Sequence, residues 1–377
     1  MQKNAKNRLF TLLAIVFFLI LGAAVPDDSL RERAMAVGLG IDLDEEGNVV
    51  ACAQILTSSE NGNTDAGTRV VAGSSLLLNT AISDITETCG QTLTVTHCNV
   101  VLLGERLIDS GHAVDVLLTL VENTYVSDNA YVFACAGTPE DLFLSKSAFG
   151  QNASQYLQQL ISAYGTYENI AYRTLRQVVM QHYSLGKTMY MPYVALKEEN
   201  PKVPSSSSFE ELSDKKDASY ALNRVLILCN GQKIGVYGEP ALRAVNYLLT
   251  DVRKGSEDFT IPGGKVGFFI LDNNVKEELD LENNTYSVRL EVGVTVKDYR
   301  PSGERKEGVF SYDLTEEDKK ACEETLRNEI LSFYEEMRLQ NADVFNLKQK
   351  FYAKFGVPDV DLGTIKQDLT VTLSVEK

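Results

Sequence analysis

Residues 9–25 read LFTLLAIVFFLILGAAV, seventeen residues with Thr11 as the one polar side chain. A core helix at a chain terminus is rarely so uniformly apolar. This stretch therefore belongs to a membrane, and the water-facing fold has to be built from the residues after it. Lys3, Lys6 and Arg8 stand before it and small residues end it, which completes the three regions of a secretory signal. Seventeen residues is the lower limit for crossing a bilayer. Leu21-Gly22-Ala23-Ala24 has the shape of a lipobox, with Ala24 where the lipidated Cys would stand. Without a thiol no thioether to diacylglycerol forms. Two fates remain: cleavage after Gly22-Ala23-Ala24, or retention as a signal anchor with the body outside, because positive charge stays inside. The expectation is the uncleaved helix anchor.

The chain has 377 residues, enough for two or three domains with real cores. Its net charge is −16, and all the acidic residues lie after the apolar run, so the body is more acidic still. Nucleic-acid binding needs the opposite balance. Anionic headgroups repel such a body, which is expected to stand off the membrane. Six cysteines are scattered (Cys52, Cys89, Cys98, Cys135, Cys229, Cys322), with neither CxxC nor zinc spacing. They read as buried small hydrophobes, and export leaves a Cys89–Cys98 bridge open.

After residue 26 strands alternate with helices, which predicts a mixed α/β, or α+β, architecture. Strands are expected at 35–42 and 49–56 around the turn Asp44-Glu45-Glu46-Gly47-Asn48. Further strands are expected at 68–74, 99–103, 131–136 and 190–196. Helices are expected at 76–88, 113–123, 139–145, 153–164 and 172–184, with Thr138 as an N-cap. Residues 198–219 are polar, with two prolines and four consecutive serines, and read as a linker. Beyond it, 225–237 is a hairpin across Asn230-Gly231, followed by a helix at 240–252 and strands at 266–271 and 286–297. A helix at 316–340 starts on Thr315 with Asp318 at its third position. Asp343 is expected to cap the next helix, with Val344, Leu347, Phe351 and Phe355 inward, and a strand at 366–375 ends the chain. The organisation is thus a signal/anchor segment at 1–25, an N-terminal α/β domain at 26–197, a linker at 198–219 and a C-terminal α/β region at 220–377.

Catalytic signatures are missing. His97, His112 and His182 lie in no HExxH, and neither GxSxG nor GxxxxGK[ST] occurs. Gly38-Leu39-Gly40 lacks the third glycine of a dinucleotide loop and sits inside a strand. Asp42-x-Asp44-x-Glu46-Gly47 resembles the start of a calcium loop, but Ala53 holds the twelfth position where a bidentate Glu is needed, and the setting is a hairpin. No catalytic, cofactor or metal residue is assigned.

The ordered set of short motifs resembles the Ger(x)C family, the C subunits of spore nutrient-germinant receptors. Gly38-Leu39-Gly40-Ile41-Asp42 is similar to that family's first strand, and Ala53-Gln54-Ile55 to the strand after its acidic turn. Counting back from Asp42 puts Ala24 at the lipidated position. Val101-Leu102-Leu103-Gly104-Glu105 resembles the strand ending in Gly-Glu, followed by a helix-like segment with Glu122, though Thr119 stands where Arg is frequent. The segment 131–137 with Thr138-Pro139-Glu140 resembles the next strand and helix start. Gln232-Lys233-Ile234-Gly235 with Glu239, and Asn341-Ala342-Asp343-Val344-Phe345, resemble motifs of the second half. The Cys-Trp-Asp-x-Arg-Glu stretch is absent, as is all Trp.

The resemblance implies a non-enzymatic subunit on the outer face of a spore-former's inner membrane. Its implied partners are a polytopic membrane subunit and a transporter-like subunit. It also implies three small domains; the sequence itself shows one clear boundary, near residues 200–218, and offers a second near 300. Two other readings predict different sites. An exported solute-binding module needs a deep apolar cleft with a few convergent polar groups. An exported hydrolase needs a carboxylate or Ser/His pair assembled by folding.

Overall fold

A computed structural model describes residues 33–57, 67–123, 126–145, 152–164, 170–196, 220–302 and 312–376. The apolar run at 9–25 and the linker at 198–219 lie outside the described residues. Among those described, no helix is long and apolar enough to cross a membrane.

The chain opens with a meander of β1 (Arg33–Leu43), β2 (Val49–Thr57) and β3 (Gly67–Ser75). The Asp44 carboxylate forms the first turn by accepting from the Glu46 and Asn48 backbone N–H groups at 3.0 and 2.8 Å. The calcium-like stretch is therefore a self-satisfied turn. Next come α1 (Leu78–Cys89), β4 (Thr92–Thr94), β5 (Val100–Leu103), α2 (Glu105–Ser110), α3 (Ala113–Glu122) and β6 (Tyr131–Cys135). They are followed by α4 (Pro139–Leu144), α5 (Ala153–Tyr164), α6 (Leu175–His182) and β7 (Thr188–Leu196).

β1, β5, β6 and β7 lie side by side and parallel. Such strands are buried on both faces and read as continuous apolar runs. β5 and β6 fit this, with Val101, Leu103, Val132 and Ala134 facing one core and Val100, Leu102, Phe133 and Cys135 the other. On the first face pack α1, α2, α3 and α6; on the second, α4 and α5.

The stretch after the linker contributes β8 (Tyr220–Ala221), β9 (Val225–Cys229) and β10 (Gln232–Tyr237). β9 pairs antiparallel with β7, so one sheet runs β10-β9-β7-β6-β5-β1-β2-β3 across the 198–219 stretch. The turn at Asn230 (φ 51°) and Gly231 (φ 81°) has the two left-handed residues of a two-residue hairpin.

The chain then builds a second sheet. α7 (Glu239–Leu249) leads to β11 (Gly255–Ile261), β12 (Gly264–Asp280) and β13 (Thr285–Pro301). A crossover through α8 (Glu316–Leu339) and α9 (Leu347–Phe355) returns β14 (Lys366–Val375) parallel to β13. β13 carries through position 300. The free edge of β14 is covered by α8, where Arg327 donates to the Leu369 carbonyl and Glu323 accepts from the Leu373 N–H, both at 2.8 Å. Covering an edge in this way stops it templating another strand.

Three expectations need correction. α6 starts at Leu175, not 172, because Thr174 and Gln177 form a capping box; residues before it run extended beside β6, with the Arg173 carbonyl accepting from Val132 N–H at 3.0 Å. Phe355 is exposed at the end of α9, not inward. All six cysteines are free thiols, so Cys89 and Cys98 do not bridge; Cys98 is buried and donates to the Ala36 carbonyl at 3.4 Å.

Candidate functional site

The short motifs converge on two polar joints. The first lies at the carboxyl ends of the parallel strands, where open α/β sheets bind ligands when they bind any. There Asp42, at the tip of β1, is 5% exposed and accepts from the Leu107 N–H at 2.9 Å. It thereby serves α2, whose own N-cap residue is Gly104 and offers no side-chain oxygen. A Cβ on Gly104 would lie 2.1 Å from the Asp42 carboxyl carbon. Glu105 reaches across to accept from the Gly137 N–H at 3.3 Å, tying the start of α2 to the loop after β6.

Behind this joint, α4 and α5 rest on the backbone of β1. A Cβ on Gly38 would fall 2.0 Å from Ser154 Oγ, and one on Gly40 2.4 Å from Pro139 Cβ. Gln54 of β2 is 1% exposed and holds both helices. Its Nε2 donates to the Phe143 carbonyl and its Oε1 accepts from the Ser154 N–H, each at 3.0 Å.

Burial raises the Asp42 carboxyl above its ordinary range, opposed by the Leu107 and Leu43 N–H groups and Arg106, while nearby Glu105 adds to the rise. A buried carboxyl whose pKa is raised, beside a second carboxyl, is one ingredient of a general acid. Here, however, Asp42 is turned inward as a cap. The histidines lie elsewhere: exposed His112 meets exposed Asp115 at 3.1 Å, and His182 ends α6, its Nδ1 buried with no hydrogen-bond partner among the described residues. Among the described residues no group of three His, Cys, Asp or Glu could hold a metal ion.

The second joint ties the two sheets together. Asp343, 4% exposed, accepts from the Leu347 and Lys348 N–H groups at 2.6 and 2.9 Å. It thus caps α9 as the sequence predicts, although Asn346 at φ 55° is the residue directly before the helix. The Asp343 backbone N–H donates to Thr188 Oγ1 of β7 at 2.8 Å. A Cβ on Gly186 would lie 2.5 Å from that of Asp343. Burial raises this carboxyl too.

A third cluster went unseen in the sequence. Arg243 of α7 bridges Glu257 of β11 at 3.2 Å and Glu329 of α8 at 2.7 Å, with its guanidinium 5.4 Å from the Phe259 ring centroid. The partners are 14 and 86 residues away in sequence. The signal in reach was Glu257 on the inward register of an alternating strand. A shallow depression beside α8, lined by Tyr334, Met337, Arg338, Phe345, Leu347 and Leu362, has room for about one water molecule, far short of the roughly 300 to 1,000 Å³ of small-molecule sites.

The described residues form a mixed α/β protein with one large and one small sheet, whose buried polar side chains clamp elements to one another. The profile of the spore germination protein N-terminal domain matches residues 27–196, and that of the spore germination B3/GerAC-like C-terminal domain matches residues 223–360. The chain belongs to this GerAC-like family of spore germination proteins, and membership points to the role of a germinant-receptor C subunit. The chain is also similar to the crystal structure of the GerBC protein, at 13% identity over 90% of this chain and 97% of that one, with a TM-score of 0.44. No curated protein matches it.

Proposed function

We propose that this chain is the extracytoplasmic C subunit of a spore nutrient-germinant receptor and works by docking, without catalysing a reaction. Its partners are a polytopic membrane subunit and a transporter-like subunit. Residues 9–25 hold it to the outer face of the spore inner membrane as a helix, without lipid, because Ala24 offers no thiol. The match of both family domains, in order, along most of the chain carries this reading. The inward use of Asp42, Gln54 and Asp343 agrees with it: these motif residues shape a scaffold, which leaves the surface to make contacts.

The test is affinity purification of the tagged full chain from detergent-solubilised spore membranes, together with deletion of its gene. Co-purification of both membrane subunits and loss of a nutrient response are expected. A chain that purifies alone, in spores that still respond to every nutrient, would overturn the proposal. Nutrient amino acids and sugars should leave the melting temperature of the chain unchanged; a clear stabilisation would favour the solute-binding reading.

A further inference from the structure

The parallel strands give the molecule two ends. The first residues of β1, β5, β6 and β7 share one end. Arg33 opens β1 there, and the turn from Tyr183 to Lys187 delivers the chain into β7. The end of α8 meets the same place. The Cys229 thiol donates to the Asn341 carbonyl at 3.7 Å, Asp343 reaches Thr188, and Gly186 abuts Asp343.

This end carries exposed apolar side chains on both contributing segments. Met180 is 62% exposed, Tyr183 69% and Leu339 79%, with Leu185 at 39%. Met180 and Tyr183 are three apart, on one face at the end of α6. Lys187, held at φ 44°, adds a positive charge beside them. Leucine and tyrosine next to lysine are the side chains that partition into a membrane interface.

Chain length limits where this end can sit. Only residues 26–32 separate the apolar run from Arg33. Seven residues span about 25 Å at most. The start of β7 stands three strand spacings from that of β1, about 15 Å along the sheet. The other exposed leucines at strand ends, Leu76, Leu77 and Leu196, follow β3 and close β7 at the opposite end.

We infer that this end faces the bilayer, and that Tyr183, Leu185 and Leu339 rest in the lipid headgroup region of the membrane holding residues 9–25. The inference rests on the anchored reading proposed above. The rest of the acidic body stands off the headgroups, and lipid contact is confined to these exposed apolar side chains and Lys187.

The absence of Trp makes a direct test available. Full-length Tyr183→Trp and Leu76→Trp each carry a single indole at an exposed site. Each is reconstituted in phosphatidylcholine–phosphatidylglycerol vesicles whose acyl chains are brominated near the headgroup. Tyr183→Trp emission should shift to the blue and be quenched, and Leu76→Trp emission should do neither. If the protein floats with the vesicles but Tyr183→Trp is not quenched, the membrane-facing edge is wrong and the anchor stands. Protein that fails to float overturns the anchor, and this inference with it. A blue shift of Tyr183→Trp that needs added membrane subunits, without bromine quenching, would mean that a protein covers this edge and would overturn the lipid assignment.

Discussion

Asp42 illustrates how one carboxyl sets the tip of a sheet. It is buried against Gly104, and its acceptor oxygen satisfies the Leu107 N–H. Gly104→Ala forces a methyl group into that carboxyl; overpacking of this kind costs about 1–3 kcal/mol and should appear as a lower urea midpoint. Asp42→Asn retains an acceptor for Leu107 and removes the charge. The sign of its pH effect is set by the raised folded-state pKa. Between the ordinary 3.8 and that raised value, the folded chain keeps a proton that the unfolded chain has lost. The contribution of this group is therefore full below 3.8 and is lost as pH rises through the folded-state value. Relative to wild type, Asp42→Asn should gain stability from pH 4 to pH 7 in urea unfolding; a relative loss over that interval would contradict the buried assignment.

At the scale of elements, what the sequence announced was what local chemistry decides. The Asn230-Gly231 turn, the β14 alternation and the Thr315–Asp318 box at the start of α8 all formed. The box is reciprocal: Thr315 Oγ1 accepts from the Asp318 N–H at 3.1 Å, and Asp318 accepts from the Thr315 N–H at 3.4 Å. Thr315→Ala should cost about 1 kcal/mol, measured as a drop in the thermal midpoint, and an unchanged midpoint would mean that the box is idle. The start of α6 carried the same kind of signal in Thr174 and Gln177, but the apolar pattern upstream drew the expected helix too far back. β11 was not foreseen, and β12 was expected to be about a third of its length. Asp272, Asn274, Lys276 and Glu278 give its far half little apolar alternation, so pairing with β13 extends it. Of the polar joints, the residues themselves were visible as family motifs. Their partners were not, because the Gln54–Ser154 and Thr188–Asp343 contacts link positions 100 and 155 residues apart.

Across the whole molecule, β9 decides how the two sheets depend on each other. Its Leu226 and Leu228 face the core shared with α3 and α6. Its Val225 and Ile227 face a second core that also contains α7, α8 and the inner face of β13. A strand that closes two cores makes each sheet a wall of the other's interior, and Asp343 with Thr188 adds a buried polar tie at the same border. The chain is therefore expected to unfold as one cooperative body even though the family's two domain matches part at residues 196 and 223. Ile227 is fully buried, and Ile227→Ala removes about 2–5 kcal/mol from such a core. Hydrogen exchange in graded denaturant should show β6 and β13 losing protection at one midpoint in wild type, and both midpoints falling together in Ile227→Ala. If β13 lost protection while β6 stayed protected, the shared strand would be a contact between two independent domains and the single-body expectation would fail.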